Sequence, residues 1–82
     1  MSTVRYFAAA KEAAGLAAED VDAGTLDEAL AEVRGRHDPR FTTVVARCSF
    51  IVDGDPVGGR DHACVALAPG SVVDVLPPFA GG

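Results

Sequence analysis

The stretch TLDEALAEVRGR, residues 25–36, is the strongest structural signal in this 82-residue sequence. Thr25 and Glu28 have the spacing of a capping box, in which the two side chains satisfy free amides in the first turn of a helix. The apolar residues recur at i, i+3, i+4 and i+7, which places them on one helical face. Pro39 lacks an N–H and prevents continuation of the helix. We therefore predict an amphipathic helix that ends near residue 36 and buries a stripe formed by Leu26, Ala29, Leu30 and Val33.

Short stretches on both sides of this helix have the composition of β-strands. Residues 3–8, TVRYFA, alternate so that Val4, Tyr6 and Ala8 share one face. The first and last predicted strands are the most apolar, so we expect them side by side at the centre of a sheet. The remaining predicted elements are a short helix at 9–15 that stops at Gly15, and strands at 18–23, 48–54 (entering the Asp53–Gly54 turn), 63–67 and 72–76.

One apolar stripe on one main helix, surrounded by short strands, indicates a sheet packed on that helix. The expected fold class is therefore α+β, a β-grasp in which a mixed sheet packs on one main helix. No repeat, low-complexity linker or break in composition divides the sequence. We expect residues 1–82 to form a single domain with a flexible C-terminal tail at 77–82.

The charge balance narrows the classes of partner. Twelve acidic residues against seven basic ones give a net charge of −5, which repels phosphate backbones and argues against nucleic-acid binding. A basic patch on a partner protein would be complementary. The sequence has no apolar run of about 20 residues, as a membrane helix needs, and its N-terminus lacks the features of a signal peptide. We expect a cytoplasmic protein.

Candidate catalytic and metal-ligating residues are few and scattered. Cys48 and Cys64 are the only cysteines, and without a C-x-x-C pair they do not form a typical zinc motif with His37 and His62. We expect two free thiols, two solvated histidines and no bound metal. None of the serines lies in a nucleophile elbow, so the chain is not expected to be a catalyst by itself.

The last eight residues, VLPPFAGG, have a composition that an ordinary chain end does not need. Pro77 and Pro78 cannot donate backbone hydrogen bonds, so they end the last strand and favour an extended exit. Six residues from Pro77 onward can reach about 20 Å. Phe79 is suited to anchor on a partner. Gly81 and Gly82 have no Cβ atom and can therefore thread a narrow channel.

The only reactive group at this tip is the α-carboxylate of Gly82. As an anion it is a poor electrophile, but once joined to AMP it becomes an activated acyl group that sulfur or an amine can attack. We predict that partner proteins provide this chemistry and that the tail provides recognition, with Phe7 and Leu76 adding apolar contact beside it.

Four stretches carry a family resemblance: VRYFAAAKEAAG near the start, TLDEAL, FIVDGDPV and the terminal LPPFAGG. Together they make the whole chain similar to the MoaD/ThiS group of ubiquitin-like sulfur carriers, and the paired prolines favour the branch of molybdopterin synthase small subunits. The resemblance implies that an E1-like enzyme uses ATP to adenylate Gly82, which then becomes a thiocarboxylate. It also implies that the tail enters the large synthase subunit and donates sulfur to cyclic pyranopterin monophosphate. No tightly bound cofactor is implied.

Three residues depart from the family pattern. Phe79 stands where a smaller aliphatic residue is frequent, Lys11 where arginine is common, and Asp53 where asparagine is common. Alternatives therefore stay open. The same carrier chemistry could serve thiamine, cysteine or another sulfur metabolite. The activated glycine could instead be captured by lysines of target proteins, as in a ubiquitin-like modifier, or the chain could be an interaction domain that does not conjugate.

Overall fold

The computed structural model describes residues 1–78 of the chain. The predicted tail begins inside this range at Pro77, whereas Phe79, Gly81 and Gly82 lie outside it. None of the helices in the described part has the length and apolar character that crossing a bilayer requires. In chain order the elements are β1 (Ser2–Tyr6), α1 (Ala8–Ala14), β2 (Ala18–Val21), α2 (Leu26–Arg34), α3 (Pro39–Val45), β3 (Ser49–Val52), β4 (Asp55–Pro56), a 3₁₀ helix (His62–Cys64) and β5 (Val72–Leu76).

The described strands form one mixed sheet in the order β2-β1-β5-β3-β4. β1 and β5 are parallel neighbours at its centre, and the other pairs are antiparallel. The prediction that the first and last strands lie side by side is confirmed. A parallel pair needs a long crossover connection, which here contains the helices. The predicted α+β class and ubiquitin-like β-grasp are therefore confirmed.

Helix α2 forms where the capping box and the apolar stripe predict it. The Thr25 hydroxyl oxygen accepts a hydrogen bond from the Glu28 N–H at 3.2 Å and the hydroxyl donates to the Glu28 carboxylate at 3.1 Å. The helix ends at Arg34, slightly before the predicted end, and Arg36 and His37 beyond it contact β2. All four stripe residues are at most 2 % exposed. They share one core with the inward-facing residues of the two central strands, Val4, Tyr6, Val73 and Val75.

The Asp53–Gly54 turn joins β3 to β4 and also fastens this hairpin to β5. Both residues have positive φ angles, 50° and 82°, as a two-residue type I′ turn requires. The Asp53 carboxylate accepts hydrogen bonds from the Val72 N–H at 2.9 Å and the Ser71 hydroxyl at 2.8 Å. These bonds, with the backbone one contributing most, hold the pKa of Asp53 below its usual range. Both partners are donors, so a carboxylate is well suited to this position.

Helix α3 has no counterpart in the sequence prediction. The Asp38 side chain caps it by accepting a hydrogen bond from the Phe41 N–H at 3.1 Å, and Pro39 lies in the first turn, where a missing N–H is harmless. The β-branched run at 42–45 disfavours a helix on propensity alone. Burial of Phe41 and Val45 outweighs that preference.

One predicted strand does not form, and the end of β1 was predicted too late. Residues 63–67 do not form a strand, because the Asp61 carboxylate caps a 3₁₀ helix at His62–Cys64, and only Ala66 makes an isolated bridge, to Thr25. β1 ends at Tyr6 rather than at residue 8. Ala8, with φ of 50°, begins α1 and is exposed instead of facing the core.

Candidate functional site

The end of β5 determines where the tail leaves the fold. Leu76, the last strand residue, pairs with Ser49 of β3 on one side. On the other side the Phe7 N–H donates a hydrogen bond to the Val75 carbonyl at 3.3 Å. Pro77 is then half-buried and Pro78 is exposed. The chain therefore leaves from the centre of the sheet, held on both sides up to its last strand residue, and the predicted carrier residues Gly81 and Gly82 follow outside the described part.

An apolar patch surrounds this exit on the outward face of the sheet. Phe7 is 39 % exposed and, with Met1, is one of two exposed large apolar side chains among residues 1–78. Leu76 and Ile51 are half-buried, and alternation along their strands points both away from the core. We call Phe7, Ile51, Leu76 and Pro77 the exit patch. The structure thus places three predicted recognition residues, Phe7, Leu76 and Pro77, near one another and adds Ile51, while Pro78 follows as an exposed residue.

A polar pair lies on the same face, directly beside the exit patch. Arg5 and Asp74 are opposite each other in the β1–β5 register. The Arg5 guanidinium donates two hydrogen bonds to the Asp74 carboxylate, at 2.6 and 2.9 Å, and these bonds raise the pKa of Arg5. The guanidinium carbon also lies 5.8 Å from the centre of the Phe7 ring, within cation–π range. The pair therefore fixes the position of the guanidinium close to the Phe7 ring.

On the inner side of the sheet, the Glu19 carboxylate links β1, β2 and the segment between α2 and α3. Glu19 of β2 is 10 % exposed in its side chain. It accepts hydrogen bonds from the Tyr6 hydroxyl at 2.5 Å and Arg36 at 3.0 Å, and it contacts His37 Nε2 at 2.6 Å. We call these four residues the Glu19 cluster. Because Tyr6 pairs with Val75 in the sheet, the cluster supports the strands from which the tail departs.

The electrostatics of the Glu19 cluster follow from burial and hydrogen bonding. Burial raises the pKa of Glu19, but hydrogen bonds from Tyr6, His37 and Arg36 outweigh it, and the net pKa lies below the ordinary value. Burial and the negative neighbour both raise the pKa of Tyr6. Glu19 is therefore ionised and Tyr6 is a neutral donor at neutral pH.

Glu19→Gln is expected to lower the free energy of unfolding by about 1–3 kcal/mol at pH 7, since it weakens hydrogen bonds to a charged acceptor. The folded pKa is depressed, so this stabilisation is present above the unfolded pKa and is lost as the pH falls through the folded pKa. Urea unfolding from pH 7 to pH 3 should show the gap between wild type and variant closing below about pH 4. Glu12→Gln, an exposed site on α1, is the matched control. A gap that stays constant with pH would show that the carboxylate charge is unimportant.

The two histidines and the two cysteines differ in their exposure. The prediction that His37 is solvated is wrong: its side chain is 13 % exposed and its ring centre lies 4.5 Å from that of Phe41. His62 is half-buried and meets Phe50 edge-on at 5.2 Å. Burial raises the pKa of the Cys48 thiol, whereas Cys64 is exposed. Within residues 1–78, histidine, cysteine and acidic side chains form no group of three that could hold a metal.

Solved structures share this fold at low sequence identity. Small archaeal modifier protein 1 from Methanosarcina acetivorans matches with a TM-score of 0.85 and 18 % identity over 99 % of this chain and 95 % of its own. The complex of subunits 1 and 2 of molybdopterin-converting factor from Helicobacter pylori gives 0.72 and 23 %, covering 99 % and 97 %. The Amycolatopsis orientalis BexX/CysO complex gives 0.82 and 19 %, covering all of both chains.

The family assignment comes from the sequence as a whole. No curated protein matches the chain. The profile of the ThiS family, however, matches residues 4–82, which include the glycine tip and all the strands and helices described above except the first two residues of β1. The chain therefore belongs to the ThiS family and is a ubiquitin-like sulfur carrier of the MoaD/ThiS type.

Proposed function

We propose that this chain is the cytoplasmic small subunit of a molybdopterin synthase, which carries the sulfur that the synthase transfers. The observation that carries the proposal is the terminal LPPFAGG in a ThiS-family chain. The paired prolines directly follow the central strand β5. In this proposal the two prolines stiffen the exit, and the two glycines provide a tip without side chains.

The chemistry proposed for the tip takes place in a partner's active site. One oxygen of the Gly82 carboxylate attacks the α-phosphorus of ATP held by an E1-like enzyme, and pyrophosphate leaves. Sulfide, or a sulfur donor of equal oxidation state, then attacks the acyl carbon, and AMP departs with that oxygen. The product is a thiocarboxylate, which gives its sulfur to cyclic pyranopterin monophosphate and returns to a carboxylate by hydrolysis. The chain itself holds no ATP in this scheme.

The proposed partner for the transfer step is the large synthase subunit. The exit patch supports this assignment, because an exposed aromatic beside half-buried aliphatic residues is typical of an interface centre. The Helicobacter pylori structure of this fold contains two different subunits. The net charge of −5 would steer the chain towards a basic surface around the partner's tail channel.

Phe7→Ala is expected to weaken binding to the large subunit by about tenfold or more, because it removes the exposed aromatic of the exit patch. Calorimetric titration measures this. Phe79→Ala, tested in the same way, examines the predicted tail anchor. Val72→Ala, a half-buried site at the opposite end of β5, is the matched control and should change affinity by less than about threefold. Equal losses of affinity with Phe7→Ala and Val72→Ala would contradict the proposal that the exit patch binds the large subunit.

The proposed function is tested by intact mass. The protein is incubated with ATP, a candidate E1-like enzyme and a sulfide source, and we expect a gain equal to exchange of one oxygen for one sulfur. The loaded protein is then mixed with the large subunit and cyclic pyranopterin monophosphate, where the gain should disappear as dithiolene forms. No mass gain with a demonstrably active cognate enzyme would reject the carrier role. Loading without transfer would indicate that the sulfur goes to thiamine, cysteine or another acceptor. Genetic complementation of each pathway would distinguish these acceptors.

A ubiquitin-like modifier is the second candidate, and the likeness to small archaeal modifier protein 1 favours it. Here an amine rather than sulfide attacks the acyl adenylate, and an isopeptide bond forms. Lys11, exposed on α1, is the single lysine of the chain, so extended self-linked chains are not expected. Isopeptide-linked adducts in a cell lysate, lost when Gly82 is deleted, would support this function over sulfur transfer to a small molecule.

A further inference from the structure

A second surface, separate from the exit patch, lies between α2, α3 and β3. It is a groove of about 330 Å³, a volume at the lower end of those found for binding pockets. Its floor is apolar and consists of Leu30, Val45 and Phe50, which are at most 7 % exposed. Polar groups of Arg34 and His62 line it as well. An occupant with an apolar part and an anionic part would match both the apolar floor and the polar groups.

The charge around this groove is opposite to that of the whole chain. The net charge is −5, yet residues 33–48 contain four arginines and a single acidic residue, Asp38. Arg36 is held by Glu19 and Glu32. Arg34, Arg40 and Arg47 have no carboxylate within ion-pair distance in the described part. Among the described residues, Arg34 is the one arginine that lines the groove and no acidic residue lines it, so the groove has a cationic side chain without a carboxylate partner.

The groove also lies close to the departure point of the tail. Ser49 lines the groove and pairs with Leu76, the last residue of β5. Phe50 faces the core, so the groove is on the helical side of the sheet, whereas the exit patch is on the outward side. A protein that holds the tail would be positioned to contact both surfaces.

We infer that this groove binds an acidic segment of a partner protein through one inserted apolar side chain. The apolar side chain fills the space above Phe50 and Val45, and a neighbouring carboxylate pairs with Arg34, whose planar guanidinium suits a carboxylate. An inorganic anion would leave the apolar floor unused. A second copy of the chain is disfavoured because two molecules of net charge −5 repel each other.

The test uses a fluorescein-labelled peptide of alternating glutamate and leucine around a central phenylalanine, titrated with the full chain and followed by anisotropy. Saturable binding is expected, and Arg34→Glu should weaken it by about tenfold or more. Arg40→Glu makes the same charge change on α3 outside the groove and should weaken it by less than about twofold. Thr42→Trp, which fills the groove without changing charge, should also abolish binding. Circular dichroism confirms that each variant is folded.

Several outcomes would overturn the inference. Equal losses with Arg34→Glu and Arg40→Glu, or no loss with Thr42→Trp, would mean that the peptide binds by charge alone. Displacement of the peptide by millimolar inorganic phosphate would make the rim an anion site. If the wild type self-associates in sedimentation experiments and Arg34→Glu abolishes this self-association, the occupant of the groove is a second copy of the chain. The assay contains neither ATP nor adenylating enzyme, so its failure is independent of the carrier function.

Discussion

Deletion of Gly82 is expected to abolish sulfur loading while leaving the melting temperature unchanged. Without this residue Gly81 still ends in a carboxylate, but the reacting group is shorter by about 3.3 Å. A misplacement of about 1 Å at a reacting centre can lower a rate by about 100-fold. Loading should therefore fall by at least that factor, even though the functional group is chemically identical. The last strand ends at Leu76, so the deletion removes no part of the sheet.

The measurement is the initial rate of the oxygen-for-sulfur mass change with the cognate E1-like enzyme, together with thermal unfolding of each variant. Ala80→Gly keeps the length of the tail and its narrow tip, and should load at a rate close to that of the wild type. Wild-type loading by the deletion variant would contradict the carrier mechanism. Equal losses in both variants would show that the enzyme reads the composition of the tail rather than its length.

The parts of the fold that could be predicted are those with strong local signals. Thr25 and Glu28 set the start of α2, and its stripe repeats with the period of a helix. The run at 72–76 gave the bounds of β5 because a Pro-Gly turn precedes it and two prolines follow it. Helix α3 could not be predicted, because residues 42–45 favour a strand on local propensity. They are helical because Phe41 and Val45 are buried against the core.

The same contrast between local signals and tertiary contacts applies to the candidate site. The proposed tail site remains a sequence prediction that extends beyond residues 1–78, and it rests on residue composition, which requires no knowledge of the fold. Alternation in the first strand also separated Phe7 from the face shared by Val4 and Tyr6, whereas the outward position of Leu76 came from the structure. The Glu19 cluster could not be predicted, because His37 and Glu19 are 18 residues apart and meet only when the segment after α2 turns back to β2. In a linear sequence His37 has a polar environment, so nothing local indicates its burial.

Phe41→Ala is expected to be strongly destabilising, lowering the free energy of unfolding by about 3–5 kcal/mol. Phe41 is fully buried, and its ring contacts Tyr6 edge-on at 5.5 Å between centres. A domain of this length has a total stability of about 4–12 kcal/mol, so one truncation could remove a third or more of it. Urea unfolding at pH 7 measures the loss. Phe7→Ala, the same change at a 39 % exposed site, is the matched control, with an expected loss below about 1 kcal/mol.

The loss of stability caused by Phe41→Ala should depend on Glu19. Such coupling would show that Phe41 supports the Glu19 cluster in addition to filling space in the core. The Phe41 ring packs on His37, and His37 contacts the Glu19 carboxylate, so a cavity at Phe41 releases the imidazole that Glu19 needs. Neighbouring residues that share a partner typically show coupling of about 0.5–3 kcal/mol. The double variant with Glu19→Gln should therefore lose less stability than the sum of the single losses. Strict additivity would mean that α3 is held by apolar packing alone and that the Glu19 cluster acts independently of it.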